Sequence, residues 1–136
     1  MPYDTWKPRE DSIKFFEDVL KSHRKVAYFT KRGYYVFDIE RREGLGPVVA
    51  LLTDLYTVGL ADVVLAETEV EGLNCIVTVS NWNGYTQEAK EYGIEHRTGL
   101  FQLSEFMGAL WQRDFWNYVK RDEEGNPTYP YRGRSA

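Results

Sequence analysis

LNCIVTVSNWNGYTQEAKEY, residues 73 to 92, is the stretch whose reading decides the fold. Its first part, 73 to 80, is β-branched and almost wholly apolar. A run that short, closed by polar residues, reads as a strand buried on both faces. Asn81, Asn83 and Gly84 then make a loop. Thr86 has the side chain to cap the next helix, which carries Glu88 in its first turn, and Gly93 reads as its stop. A buried strand running through a short loop into a helix is the building unit of an α/β layer structure.

Outward from that unit the rest of the chain falls into elements. Toward the N-terminus, residues 60 to 70 alternate and also suit a helix; helix is preferred because Ala, Leu and Glu favour it, and the structure of 60 to 72 stays open. Pro47 opens a helix in which Val48, Leu51, Leu52 and Leu55 recur at helical spacing. Residues 34 to 40 and 24 to 31 read as two strands joined by a turn at Arg32-Gly33, hence a hairpin. Residues 8 to 22 read as a helix whose apolar face is Ile13, Phe16, Val19 and Leu20. Toward the C-terminus come a short strand at about 99 to 103 and a last helix from Ser104, followed from 121 to 136 by a stretch without periodicity that reads as a flexible tail. The expected architecture is one α/β domain over residues 1 to 120, a layered sandwich with a small mixed central sheet, and function at strand ends and the loops after them.

Composition bounds what such a domain does. The chain has 136 residues, 43% hydrophobic and 28% charged, enough for a core without cross-links. Its 17 Lys+Arg against 21 Asp+Glu exclude a simple cationic coat for nucleic acid, though not a nuclease, whose metal site itself needs carboxylates. One cysteine excludes a disulfide framework and a cysteine-rich zinc module. No apolar run reaches the ~18 residues of a membrane span, and the first ten residues lack the apolar core of a secretion signal; the expectation is a cytoplasmic protein without membrane contact. The aromatic run Trp111, Phe115, Trp116 and Tyr118 exceeds what one small core needs and suits a homodimer face.

Two stretches carry candidate chemistry. In Phe37-Asp38-Ile39-Glu40-Arg41-Arg42 the two acids are two apart on a strand, so both carboxylates point the same way. Such a pair suits Mg²⁺ or Mn²⁺, with Arg41 or Arg42 steadying charge on a phosphodiester. It equally suits a wet strand face paired with Lys25 or Lys31. In the second stretch, Ser80, Asn81 and Asn83 offer hydrogen bonds, Trp82 and Tyr85 offer stacking faces, and Thr86 opens a helix whose N–H groups attract phosphate. The same residues also fit a tight strand-to-helix connection.

Residues 74 to 111, from the strand through the Tyr85-Thr86-Gln87-Glu88-Ala89 helix start to the Leu-rich last helix, resemble the second half of an Mrr-type restriction-endonuclease domain. The resemblance implies the PD-(D/E)xK nuclease fold, with a helix before the sheet and another after the catalytic strand. The family has an acid on one strand, then acid or Gln, any residue, and Lys on the next. Here Asp38-Ile39-Glu40 has Glu at the lysine place, the upstream strand has no acid, and Glu17 on the first helix is the stand-in for a helix-borne acid. The resemblance thus implies a catalytically degenerate domain that binds nucleic acid or a partner protein in DNA processing or defence. An active Mg-dependent DNA nuclease using Asp38, Glu40, Glu17 and Arg41, with metal on Asp38 and Glu40, is the first alternative. An unrelated α/β interaction domain is the second.

Overall fold

In the computed structural model, which describes residues 6 to 133, the decisive stretch forms strand β5 (Cys75–Thr78) with all its side chains buried. The full order is α1 (Glu10–Ser22), β1 (Val26–Arg32), β2 (Val36–Arg41), β3 (Val48–Thr53), β4 (Thr57–Val58), α2 (Leu60–Glu69), β5, β6 (Gly84–Tyr85), α3 (Gln87–His96), β7 (Gly99–Gln102), α4 (Leu103–Ala109), β8 (Lys120–Arg121) and β9 (Pro127–Thr128). The main sheet has five strands in the order β1-β2-β3-β5-β7. β1, β2 and β3 run antiparallel, and β3, β5 and β7 run parallel, so the sheet is mixed.

Register sorts the side chains into two faces. Phe37 lies opposite Ala50, Ala50 opposite Cys75, and Leu52 opposite Val77, which in turn faces Phe101. This face meets α1 and α4, where Phe16 packs 4.9 Å from the Phe37 ring and 5.4 Å from that of Phe106. Leu51, Ile76 and Leu100 share the other face, over which lie α2, through Val63 and Ala66, and α3, through Ala89. Helices therefore cover both sides, but α2 and α3 leave the β1–β2 part of their side bare: Tyr28, Thr30 and Glu40 are exposed there.

Residues 47 to 55 form no helix. The apolar run Val48 to Leu52 has no period of its own, so helical spacing could be found in it as easily as a strand buried on both faces. β-branched Val48 and Val49 suit the strand, and Asn74 fixes it in place by accepting from the Val49 N–H at 2.7 Å while its own N–H donates to the Val49 carbonyl. Gly93 does not stop α3, which runs on to His96 and ends with Arg97 in the left-handed region at φ 59. Gly93 is instead where the helix touches the chain behind it, since a Cβ there would fall on the Thr98 carbonyl. The last helix is shorter than expected and is capped at Gln102, not Ser104, with the Glu105 carboxylate taking the Gln102 N–H.

The aromatics after α4 turn inward. Phe115 is buried, Trp116 lies under the Arg97 guanidinium, and Tyr118 seats against Gly108; Met107 and Trp111 are the large apolar side chains left exposed there. Three of the four aromatics are thus packed within this chain, and Trp111, 49% exposed beside Met107, is the one left to a homodimer face. The stretch from 121 is no loose tail: β8 and β9 pair as a hairpin, and Tyr131 bridges to Tyr85. Residues 134 to 136 lie outside the described residues. No helix among the described residues is long and apolar enough to cross a membrane.

Candidate nucleic-acid interface

Asp38 and Glu40 do share a face of β2, the one bare of helix, beside a hollow of about 220 Å³ lined by Tyr28, Thr30, Pro47 and Val49. What Asp38 does there is settled by Arg32, at the far end of the β1–β2 hairpin. Its Nε and Nη2 donate to the two Asp38 oxygens at 2.8 and 2.7 Å, and its Nη1 donates to the Glu71 carbonyl at 2.7 Å. This fork holds the Asp38 carboxyl below its ordinary range, against the opposing effect of burial.

The other residues expected at a metal site are elsewhere. Glu17 bonds Lys31 at 3.0 Å, and Lys31 sits opposite Phe37, so Glu17 lies across the sheet from Asp38 and Glu40. Arg41 follows Phe37 and Ile39 onto that same buried side. Its guanidinium donates to the carbonyls of Leu45, Gly46, Leu110, Gln112 and Arg113, which leaves no face for a phosphate. β3, the strand after β2, carries Ala50, Leu51, Leu52 and Thr53, with neither an acid nor a lysine. Among the described residues no group of three or more His, Cys, Asp or Glu is placed to hold a metal ion. A divalent cation needs several oxygen ligands, and this arrangement offers Glu40 beside an Asp38 already neutralised, so the residues do not fit one.

The loop after β5 divides into structural and exposed residues. Asn83 is buried and its Nδ2 donates to the Asp54 carbonyl and to Thr78 Oγ1, tying the ends of β3 and β5 together. Thr86 caps α3 by accepting the Ala89 N–H at 3.1 Å. Tyr85 has no free stacking face: it is 0% exposed and its hydroxyl donates to Glu105, at 2.8 Å from Oε2. Ser80 Oγ accepts the Trp82 N–H, closing a tight turn that throws Trp82 outward, 78% exposed, with Asn81 beside it.

Tertiary structure adds residues here that the sequence did not single out. Tyr56, 62% exposed, follows β3 and so arrives at the same end of the sheet. Arg132 joins the two aromatics: its Nε donates to the Trp82 carbonyl at 3.1 Å and its guanidinium lies 5.9 Å from the Tyr56 ring centre. Next to them a hollow of about 310 Å³ is lined by Arg9, Ser12 and Phe15 of the first helix region and by Asp54, Val79 and Ser80 at the strand ends. Reading 48 to 53 as a strand would have predicted Asp54 and Tyr56 at this edge; nothing in the sequence brings Arg132 there.

Behind the loop lies a buried polar cluster. Lys90, 1% exposed, donates to the Leu100 carbonyl at 2.7 Å and sits 4.3 Å from the Phe101 ring centre. Burial pulls its ammonium down to about 8, against the pull of the Glu105 charge, and pushes the Glu105 carboxyl up. Comparisons with protein-family models, with curated proteins and with solved structures give no match.

Proposed function

We propose that this chain is a restriction-endonuclease-like domain that binds single-stranded nucleic acid without cleaving it. The observation that carries the reading is Trp82, a bare indole at the C-terminal end of the parallel strands, on a loop whose main-chain carbonyl at Trp82 is held by Arg132, the same guanidinium that lies 5.9 Å from the exposed ring of Tyr56. Two exposed aromatic rings at one end of the sheet, with a guanidinium by one of them, offer stacking faces for bases. The end of an α/β sheet where parallel strands finish is also where such folds take ligands.

The nuclease-like part of the reading is supported by element order. After α1 come the three main-sheet strands β1, β2 and β3, then the two-residue β4 of the small sheet, α2 and β5, so a helix precedes the sheet and another follows its first strands. The loss of cleavage is supported by the Arg32 fork on Asp38, by the position of Glu17 across the sheet and by a third strand without acid or lysine. The acidic balance of the chain fits modest affinity, held by stacking more than by phosphate contacts.

The test titrates labelled single-stranded DNA at low salt and, in parallel, incubates single-stranded, duplex and branched DNA with Mn²⁺. Binding is expected, with no cleavage. Trp82→Ala should weaken binding by roughly 5- to 150-fold, the ~1–3 kcal/mol of one stacked base. Asp38→Ala and Glu40→Ala should leave it unchanged. Mn²⁺-dependent cleavage that disappears in those two variants overturns the reading in favour of the enzyme. No binding at low salt overturns it in favour of a purely protein-binding role.

A further inference from the structure

The two edges of the main sheet are treated differently. At the β7 edge, Gly99 donates its N–H to Asn74, toward β5, so the groups of Leu100 and Gln102 face outward. A side chain meets one group of each: Lys90 Nζ donates to the Leu100 carbonyl and Glu105 Oε1 accepts the Gln102 N–H.

The β1 edge is open. Leu52 donates to the Tyr35 carbonyl and Arg42 to the Lys25 carbonyl. Bonded pairs alternate in an antiparallel ladder, so Tyr35, Phe37 and Ile39 bond toward β3, while Val36, Asp38 and Glu40 bond toward β1. Their partners Arg32, Thr30 and Tyr28 therefore face inward, and the N–H and C=O groups of Phe29 and Lys31 face out. No group among the described residues meets them. Along this edge runs a hollow of about 380 Å³ floored by Leu20, Val26, Ala27 and Phe29 and bordered by Lys21 and Arg42.

We propose that the β1 edge is a docking site for an extended acidic segment of a partner protein, added to the sheet as a sixth strand. Main-chain bonds to Phe29 and Lys31 would hold it, as in other strand-addition complexes. Alternate side chains of an added strand point the same way. An apolar one therefore enters the hollow, and a carboxylate two residues on reaches Lys21 or Arg42. Charge selects this occupant. The neighbouring cations Lys25, Lys31 and Arg32 are already paired with Glu43, Glu17 and Asp38, whereas Lys21 and Arg42 have no ion pair among the described residues. These two exposed, unpaired cations border the hollow and complement an acidic segment laid along it. A second copy of this chain pairing edge to edge would bring the unpaired Lys21 and Arg42 of both copies to one edge and repel. The site is remote from Trp82, and the proposal does not depend on nucleic-acid binding.

The test uses an end-blocked peptide of the repeat Val-Thr-Glu-Thr, which sets Val and Glu two apart on one strand face, with the repeat Val-Thr-Lys-Thr as control. Binding is followed by fluorescence anisotropy, and amide exchange at Phe29 and Lys31 is read by NMR. The acidic peptide should bind and slow exchange at both amides. The double variant Lys21→Glu, Arg42→Glu should weaken it at least tenfold and favour the basic peptide. Lys31→Pro removes an outward N–H, a position where an edge strand tolerates proline. It should abolish binding while leaving the melting temperature within a few degrees. No binding of the acidic peptide, equal binding of the basic one, or binding unaffected by Lys31→Pro overturns the proposal. So does a concentration-dependent dimer lost in Lys31→Pro, which would make a second copy the occupant.

Discussion

Lys90 concentrates the energetics of single residues in this protein. An ammonium in an apolar layer is costly, and this one is retained by its bond to the Leu100 carbonyl and by the nearby Glu105 charge. Lys90→Met should destabilise the fold by about 1–3 kcal/mol at pH 7, the cost of leaving a buried acceptor unpaired. The pH dependence has a definite sign. With a folded pKa of about 8 and an unfolded value near 10.4, the native state binds fewer protons than the unfolded chain between those limits. Stability contributed by Lys90 therefore rises from about pH 8 to 10, and the gap between wild type and the Met variant should widen over that range in urea titrations. The raised pKa values of Tyr85 and Cys75 work in the opposite direction at alkaline pH; the Tyr85 shift has no contribution from Lys90 and drops out of the difference, while the Cys75 thiol is pushed further up once the Lys90 charge is gone, which adds to the widening. A flat difference from pH 7 to 10 would contradict the account. Neither Lys90 nor Glu105 stood out in the sequence, because each is an ordinary charged residue of a helix until the fold buries it.

At the scale of elements, the misread segment was β3, and the cause is general. Val48 to Leu52 is apolar throughout, and a run without alternation does not distinguish a doubly buried strand from a buried helix. By contrast α1 kept a clear apolar stripe of Ile13, Phe16, Val19 and Leu20 and was legible to within a few residues. The C-terminal stretch shows the converse error: polar, proline-containing chain that is held by backbone bonds. Pro130 accepts the Tyr85 N–H at 3.3 Å and Arg132 donates its N–H to the Tyr85 carbonyl at 2.8 Å. Gly84 makes room for this, since a Cβ there would fall on the Pro130 carbonyl oxygen, a backbone atom that cannot rotate away. Gly84→Ala should therefore lift residues 129 to 132 and cost about 1–3 kcal/mol. Trypsin should cut at Lys120, Arg121 or Arg132 faster in the variant than in wild type; equal rates would show that this segment is not held by the β6 contact.

The whole molecule depends on joining the antiparallel hairpin half to the later parallel half. Arg41 is one such joint. It leaves β2, crosses to the β2–β3 loop and to the chain after α4, and its bonds span 69 to 72 residues of sequence to Leu110, Gln112 and Arg113. A planar fork reaches several carbonyls at once, and an ammonium cannot. Arg41→Lys should lose about 3 kcal/mol, since hydrogen bonds to charged groups contribute ~1.5–3 kcal/mol each and more than one is lost. Chemical denaturation of the variant measures it; a loss under about 1 kcal/mol would mean that the joint is held by apolar packing alone.

Local patterning determined much of this protein without help from tertiary structure. The decisive strand, the hairpin, α1, the cap at Thr86, the shared face of Asp38 and Glu40 and an α/β layered architecture all follow from alternation, helical spacing and turn residues, which act over a few positions. Tertiary structure alone decided what the candidate residues are for. It put Glu17 behind the sheet from Asp38, gave Asp38 to Arg32, enclosed Arg41 in carbonyls, buried Tyr85 and brought Arg132 fifty residues back to Trp82. The physical reason is that a side chain's partners and its access to water depend on strand order and on which face each helix covers. Those are set by the summed burial of the whole core, which no short window of sequence contains.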